Sequence, residues 1–388
     1  MTSPSPLHGI RVLDLSRLLP GPFATLILRE LGANVLKIED LQEGDYLRAL
    51  PPTREGLGGA FYALNRGKRS IGIDLKKPTG RDLLLRLVAS HDVLVESFRP
   101  GVLDRLGLGV ETLRAANDTL VICRLSGYGQ TGPLRKRAGH DIDFQALAGT
   151  LSLTGEDDGT PPLPGAQIAD IGGALWATIG ILAALRRGVF SDIDISMTES
   201  AMSFLLPWLG DQAFGAQPQK RGEGMLNGGL AAYRSYRCAD KSHVAAAALE
   251  PKFWQALREE LNLPVHPKDY TPAREHQDAL HQELADTFAQ ASRDTWAERL
   301  AAVDTCVEPV LTPDELPTHP QHVARDVFFT FDDPLRGPST QLRLPFGEPI
   351  EEIAPAPKHG EHTNAVLKEA GLSDTEIDAL RHAHAILP

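Results

Sequence analysis

Arg11-Val12-Leu13-Asp14-Leu15, the turn Ser16-Arg17-Leu18-Leu19-Pro20-Gly21-Pro22, and then Asn34-Val35-Leu36-Lys37-Ile38-Glu39 decide the architecture expected of this chain. Two short apolar runs rich in β-branched residues flank a helical pattern at Pro22–Leu31. That is the sequence form of a strand, a crossover helix and a second parallel strand. The rhythm continues, with strands expected at Ser70–Asp74, Asp92–Glu96, Leu120–Leu125 and Asp192–Ser196. Helices are expected at Thr79–Ser90, Val110–Ala116, Asp141–Leu151 and Asp170–Arg187. The fold class is therefore α/β, with a Rossmann-like large domain on a parallel sheet. The first turn lacks G-x-G-x-x-G, so a nicotinamide or flavin dinucleotide is not the expected ligand.

Around Gln217–Gly229 the composition shifts to Gly, Gln, Lys and Arg, which marks a linker. Strands at Ala231–Cys238 and His243–Ala248 follow, then helices at Pro251–Leu261, Ala273–Ala291 and Asp294–Val303, a smaller α+β domain. Thr312–Pro320 and Pro334–Pro357 are proline-rich connections, and the tail holds short helices at Thr363–Gly371 and Asp374–His384. The expected division is a large domain over 1–215, a small domain over 225–330, and a segment 331–388 returning to the large domain.

Of 388 residues, 42% are hydrophobic and 23% charged, an ordinary globular balance. The formal net charge of −12 argues against non-specific nucleic-acid binding. Cys123, Cys238 and Cys306 are far apart, without metal-ligand spacing, and read as reduced thiols. No signal-peptide pattern opens the chain, and the longest apolar stretch, Ala174–Leu185, is too short to span a bilayer. A cytoplasmic protein is expected.

Chemistry concentrates in two segments, Ala138-Gly139-His140-Asp141-Ile142-Asp143 and Ala169-Asp170-Ile171-Gly172-Gly173. Each sets an ionisable side chain among glycines and apolar residues at a helix start. Taken singly, His140 also reads as a capping histidine and Asp170 as an N-cap. The glycines after Asp170 cost helix propensity, about 1 kcal/mol each relative to Ala, and permit close approach of a ligand to the backbone. Arg66, Lys68, Arg69, Arg99 and Arg105 are scattered cations that, on sequence alone, read as solvated charges.

Several blocks together resemble the family III CoA-transferase (CaiB/BaiF) superfamily. They are Leu7–Ser16 with Pro20-Gly21-Pro22, Leu31–Glu39, Leu64–Ser70, Ser97–Gly101 with Leu106–Gly109, and Gly127–Pro133. The similarity extends to Leu249–Phe253 and Thr305–Val310, in order along nearly the whole chain. Within the superfamily, the chain is most similar to the α-methylacyl-CoA racemases. That resemblance implies Asp170 as the carboxylate shared by racemases and transferases, His140 as the second acid/base group of a racemase, and Glu250 as its support. It also implies that Arg66, Lys68 and Arg69 with Arg99 and Arg105 form a cationic mouth for the phosphates of coenzyme A, with Phe98 in the same block. Ile73, Asp74 and Leu75 match positions beside the adenine. An interlocked homodimer is implied, with no metal or redox cofactor and with coenzyme A only as part of the substrate.

The chemistry agrees with this resemblance. Inverting a 2-methylacyl thioester needs one base and one acid on opposite faces of the α-carbon. An imidazole titrates at about 6.5 and serves in either state, whereas a carboxyl starts at about 3.9 and needs desolvation. The enolate oxygen needs a preorganised donor, for which the backbone N–H of Asp141 is the candidate. Three departures bear on specificity. An arginine expected where Lys37-Ile38-Glu39 turns is Asp40, so that one phosphate contact is either missing or supplied by Lys37 or Arg48. Ala166 replaces an asparagine, and Asp170-Ile171-Gly172-Gly173-Ala174 replaces Asp-Phe-Gly-Gly-Gly. The competing function is a CoA-transferase with Asp170 as nucleophile, and a third reading is a non-catalytic CoA- or protein-binding chain.

Overall fold

The computed structural model describes residues 5–156, 159–266, 269, 274–346 and 354–387. Ala273, expected to open a helix, and part of the expected connection Pro334–Pro357 lie outside the described residues. The chain divides into two compact units: 1–148, 166–204 and 321–388 in the first, 149–165 and 205–320 in the second. The excursion 149–165 leaves the first unit and returns to it, so no single cut along the chain separates the two.

The first unit is built on six parallel strands: β1 (Arg11–Leu15), β2 (Asn34–Glu39), β3 (Arg69–Gly72), β4 (Val93–Glu96), β5 (Val121–Ser126) and β6 (Ser191–Ser196). Their order is β3-β2-β1-β4-β5-β6. Val12 lies opposite Val35 of β2 on one side and Val93 of β4 on the other. Helices α1 (Pro20–Glu30), α2 (Gly59–Asn65), α3 (Pro78–Val88), α4 (Val110–Ala116), α5 (Asp141–Ala148) and α6 (Ile168–Arg187) connect the strands, and α7 (Met197–Ser203) follows the last of them.

Alternation along the strands fills both faces. Leu13, Leu36, Leu94 and Ile122 pack with Leu84 and Leu87 of α3 on one face. Val12, Val35, Val93 and Val121 pack with Leu28 of α1 and Ala177 and Ile181 of α6 on the other. A sheet covered on both faces requires near-continuous apolar strands, which is why they were legible as runs.

Helix α6 begins two residues before the expected Asp170, and its 20 residues, with a mean hydropathy of 1.8 in an 18-residue window, are long and apolar enough by length and composition to cross a membrane. Its small-residue face is instead buried in the first unit. A Cβ on Gly173 would stand 2.8 Å from the Met197 side chain and 3.2 Å from that of Leu125, and one on Gly172 would stand 3.1 Å from the Phe204 ring. These glycines serve helix packing, a reason for glycine here that the sequence pattern did not report.

The second unit has a three-stranded antiparallel sheet of β7 (Tyr233–Arg237), β8 (His243–Ala247) and β9 (Val307–Pro309), in the order β9-β8-β7. Helices α8 (Pro251–Glu260), α9 (Arg274–Phe288) and α10 (Arg293–Leu300) cover it, around a core of Tyr236, Trp254, Leu257, Phe288 and Trp296. The loop 217–229, expected to be a linker, lies within this unit. Residues 321–388 belong to the first unit, where β10 (Phe328–Asp333) and β11 (Gly337–Leu342) form a hairpin. Helices α11 (Thr363–Glu369) and α12 (Asp374–His382) end the chain, and Val366, Leu367 and Ile377 join the sheet's core.

Candidate active site

From β1 the chain winds outward through β2 to β3, and later from β4 outward through β5 to β6. The connections at the carboxyl ends of β1 and β4 therefore diverge and leave a crevice, the usual ligand position in an open α/β sheet. Arg17 stands in it. Its backbone N–H donates to Ser97 Oγ at 3.3 Å, and its guanidinium donates to Tyr46 OH at 2.9 Å. The guanidinium carbon lies 5.2 Å from the Tyr46 ring centre and 5.8 Å from that of Phe98. Sequence reasoning missed Arg17, because the crevice follows from strand order, which no local pattern reports.

Beneath this turn lies a buried charge network. Asp14 and Lys37 have side chains with 0% exposure, and Lys68 and Asp45 are equally hidden. Lys37 Nζ donates to Ser16 O at 2.8 Å and lies 3.0 Å from Asp45 Oδ2. Lys68 Nζ reaches Asp14 Oδ2 at 3.2 Å, Pro22 O at 2.9 Å, Thr25 Oγ1 at 2.8 Å and Asn65 Oδ1 at 2.9 Å. Asp14 also accepts from the backbone N–H and hydroxyl of Ser16, and Asp45 accepts from Leu18 N at 3.2 Å. Burial opposes ionisation of Asp14, but the two ammonium groups and the two hydroxyls win and hold its carboxyl well below the ordinary range. The turn is thus gripped at Ser16, Leu18 and Pro22, with Leu18 in the left-handed region at φ +63°.

The cations expected to bind phosphate are found in different circumstances. Lys68 is enclosed as described. Arg66 is buried and donates to Glu30, Gln341 and the Leu342 carbonyl. Arg69 pairs bidentately with Glu369 at 2.8 and 2.9 Å. At the end of β3, Ile73 bridges Ile386 and is buried, while Asp74 N donates to Ala385 O, so the chain terminus covers this backbone; Leu75 is half-buried. Phe98 lies in the crevice, and Arg99 and Arg105 are exposed beside it. A cavity of about 410 Å³ beyond them is lined by Arg105, Arg124, Arg135 and Lys136 together with Asp104.

Glu96, at the end of β4, was also missed. It is 4% exposed, and its Oε2 accepts the N–H of Phe98 at 2.7 Å. Burial pushes its carboxyl up to about 8, against the pull of that N–H and of Arg124.

His140 and Asp170 sit at two neighbouring helix starts. The His140 backbone N–H donates to Asp143 Oδ2 at 2.9 Å, and its carbonyl accepts from Asp143 N at 2.8 Å, so His140 caps α5 through its backbone and its exposed ring is left outside the helix. Asp170 is not the N-cap expected of it. Gln167 begins α6, and Asp170 lies in the first turn. The cap comes from Asp141, whose Oδ1 accepts from Ala169 N at 2.7 Å and Asp170 N at 3.1 Å, while Gln145 Nε2 steadies its Oδ2 at 2.5 Å. A carboxylate on these donors satisfies groups the helix itself leaves open. It frees the Asp170 side chain from capping and sets a negative charge beside it. Burial first, and Asp141 second, push the Asp170 carboxyl up to about 7. Glu250 lies in the second unit, exposed, where its carbonyl starts α8 by accepting from Phe253 N and Trp254 N at 3.0 Å.

The profile of CoA-transferase family III matches residues 7–363. The α-methylacyl-CoA racemase of Mus musculus is 37% identical over 377 residues, covering 96% of this chain and 95% of the relative. The succinyl-CoA:glutarate CoA-transferase of the same species is 31% identical over 381 residues, covering 95% and 87%. A solved CAIB/BAIF family protein from Brucella suis superposes with a TM-score of 0.82 at 31% identity, covering 95% of this chain and 100% of that one.

Proposed function

The chain belongs to CoA-transferase family III as an enzyme of that class, and from that premise we propose that it inverts the α-carbon of 2-methylacyl-CoA thioesters. The observation that carries the reading is the Asp141 carboxylate, which bonds the backbone of Asp170 while its own residue adjoins His140. One of the pair His140 and Asp170 removes the α-proton, and the other returns a proton to the opposite face. In one direction Asp170 must start protonated, and a carboxyl pushed up to about 7 meets that need at neutral pH. The enolate formed between the two transfers carries charge on the thioester oxygen. The first N–H of α5, at Asp141, is the donor we assign to it.

Glu250 supports His140 in this proposal, within an interlocked homodimer in the cytoplasm, and Arg99 and Arg105 with Phe98 receive the coenzyme A portion. In the same proposal the large domain, 1–215, binds coenzyme A, 225–330 form the small domain, and 331–388 return to the large domain. The test is solvent deuterium. With a 2-methylacyl-CoA and no acceptor acid, the protein should wash deuterium into the α-position, and His140→Ala should not. Undiminished exchange by that variant would sink the two-base reading.

The similarity to a succinyl-CoA:glutarate CoA-transferase favours a second reading. There the Asp170 carboxylate attacks the thioester carbonyl and displaces the CoA thiolate, leaving an acyl anhydride. Transfer of CoA from a donor thioester to a free acid, with hydroxylamine trapping at Asp170 and no α-exchange, would establish it.

A further inference from the structure

We infer that Arg17 is the cation that receives a phosphate of the CoA nucleotide and that Asp40 tempers its hold. The inference rests on the reading of a CoA-ester substrate given above and assigns a specificity-determining residue to it. Lys37 and Arg48 were the side chains left to replace the arginine expected at position 40, and neither reaches the crevice. Lys37 is sealed among Asp14, Asp45 and the Ser16 carbonyl. Arg48 is buried, with its Nε and Nη2 on the two oxygens of Glu39 at 2.7 Å each and its Nη1 on Pro357 O at 2.9 Å.

Arg17 differs on each count. Its side chain is 34% exposed at the point where the strand order reverses. Among the described residues only Nη1 is engaged, by Tyr46 OH and, at 3.8 Å, by Asp40 Oδ2. A guanidinium carries five N–H donors in a planar fork, so the Nε and Nη2 edge has the geometry for a phosphate. The Tyr46 and Phe98 rings lie against the guanidinium, 5.2 and 5.8 Å from its carbon. The buried lysine–aspartate network grips the backbone on both sides of Arg17, at Ser16 and Leu18, so little ordering is required when a ligand arrives.

Asp40 is placed with equal care. Its Oδ1 accepts from Gln42, Glu43 and Gly44 N–H at 3.0, 3.0 and 3.3 Å, which fixes Oδ2 toward Arg17. Partial burial works against its charge, but these N–H groups and Arg17 hold its carboxyl below the ordinary range. A fixed anion beside the guanidinium weakens the hold on a second anion. Arg17 and Asp40 substitutions should therefore change CoA affinity in opposite directions, which loss of folding cannot imitate.

Calorimetric titration of the full chain with CoA, dephospho-CoA and S-acetylpantetheine tests this. Arg17→Met should weaken CoA binding about tenfold or more and leave S-acetylpantetheine unchanged, and Asp40→Asn should tighten CoA about threefold. A loss shared with dephospho-CoA assigns the pyrophosphate, and a loss confined to CoA assigns the 3′-phosphate. If the unmodified chain binds CoA and Arg17→Met binds it equally well, the assignment of Arg17 is overturned while the CoA reading stands. If the unmodified chain binds no CoA, the substrate reading itself fails and this inference with it.

Discussion

Beneath β1, β2 and β3 the protein buries Asp14, Lys37, Asp45 and Lys68 together. Across the crevice it buries Glu96, and at the start of α6 it half-buries Asp170, with no cation of the described residues ion-paired to either. Both places withdraw charge from water, yet the outcomes are opposite. Asp14 is driven down by its ammonium and hydroxyl partners in spite of burial, whereas burial drives Glu96 up to about 8 and Asp170 up to about 7. The partner, not the depth, decides whether a hidden carboxyl stays charged. The first region holds the shape of a turn, and the second keeps carboxyls that can gain or lose a proton near neutral pH.

Removing the proposed proton carrier should have the largest effect. Asp170→Asn keeps the shape of the neutral acid but cannot exchange a proton, so α-deuterium wash-in should fall on the order of 10⁴-fold. An undiminished rate would return Asp170 to the class of structural residues. The paired region should respond in stability instead. Lys37→Met removes the cation paired with buried Asp45 and should cost about 3–5 kcal/mol, measured as a lowered urea midpoint for the first unit. Lys37→Met with Asp45→Asn should recover much of that loss. If the double variant is as unstable as the single one, the pairing is not what makes the region tolerable.

Much of this contrast was hidden from a linear reading. The strands at Arg11–Leu15 and Asn34–Glu39 were legible to the residue because a doubly covered parallel sheet demands apolar runs. His140, Asp141 and Asp170 were legible as helix-start residues, and the structure bonds the Asp141 carboxylate to the backbone of Asp170. The direction of the Asp170 shift and its larger cause, desolvation, were legible too, but its second cause was not. A carboxylate 29 positions away caps the helix and adds its charge. Lys37 within an apolar strand, and Lys68 in a basic loop, give no local sign of being enclosed. Arg17 looked like an ordinary turn residue until the strand order placed it between the β1 and β4 connections.

The unpaired carboxyls should also give a pH signature. Asp170 binds its proton more tightly in the fold than in the open chain, so from about pH 4 to about pH 7 the folded state holds more protons than the unfolded one. Stability contributed at this position therefore falls as pH rises through that window and then levels. Asp170→Asn should raise the thermal midpoint by roughly 2–4 °C at pH 8 and leave it unchanged at pH 4. Glu96→Gln should behave alike, with its window reaching to about pH 8. A gain of equal size at both pH values would show that the side chains' shape, not their charge, is at issue.

The smallest effect separates pairing from burial. Arg69 and Glu369 form a bidentate pair at 2.8 and 2.9 Å, as well made as the buried ones, but the Glu369 side chain is 62% exposed. Water already solvates that carboxylate, so removing its partner leaves no stranded charge. Glu369 is held below its ordinary range chiefly by the hydrogen bonds from Arg69, and salt screens so exposed a contact. Arg69→Met should shift the urea midpoint by less than the equivalent of about 1 kcal/mol, and less still in 0.5 M salt, on the order of a few times physiological ionic strength. A loss approaching that of Lys37→Met would mean that geometry alone sets the worth of these pairs, and that the distinction drawn between the two buried regions rests on the wrong variable.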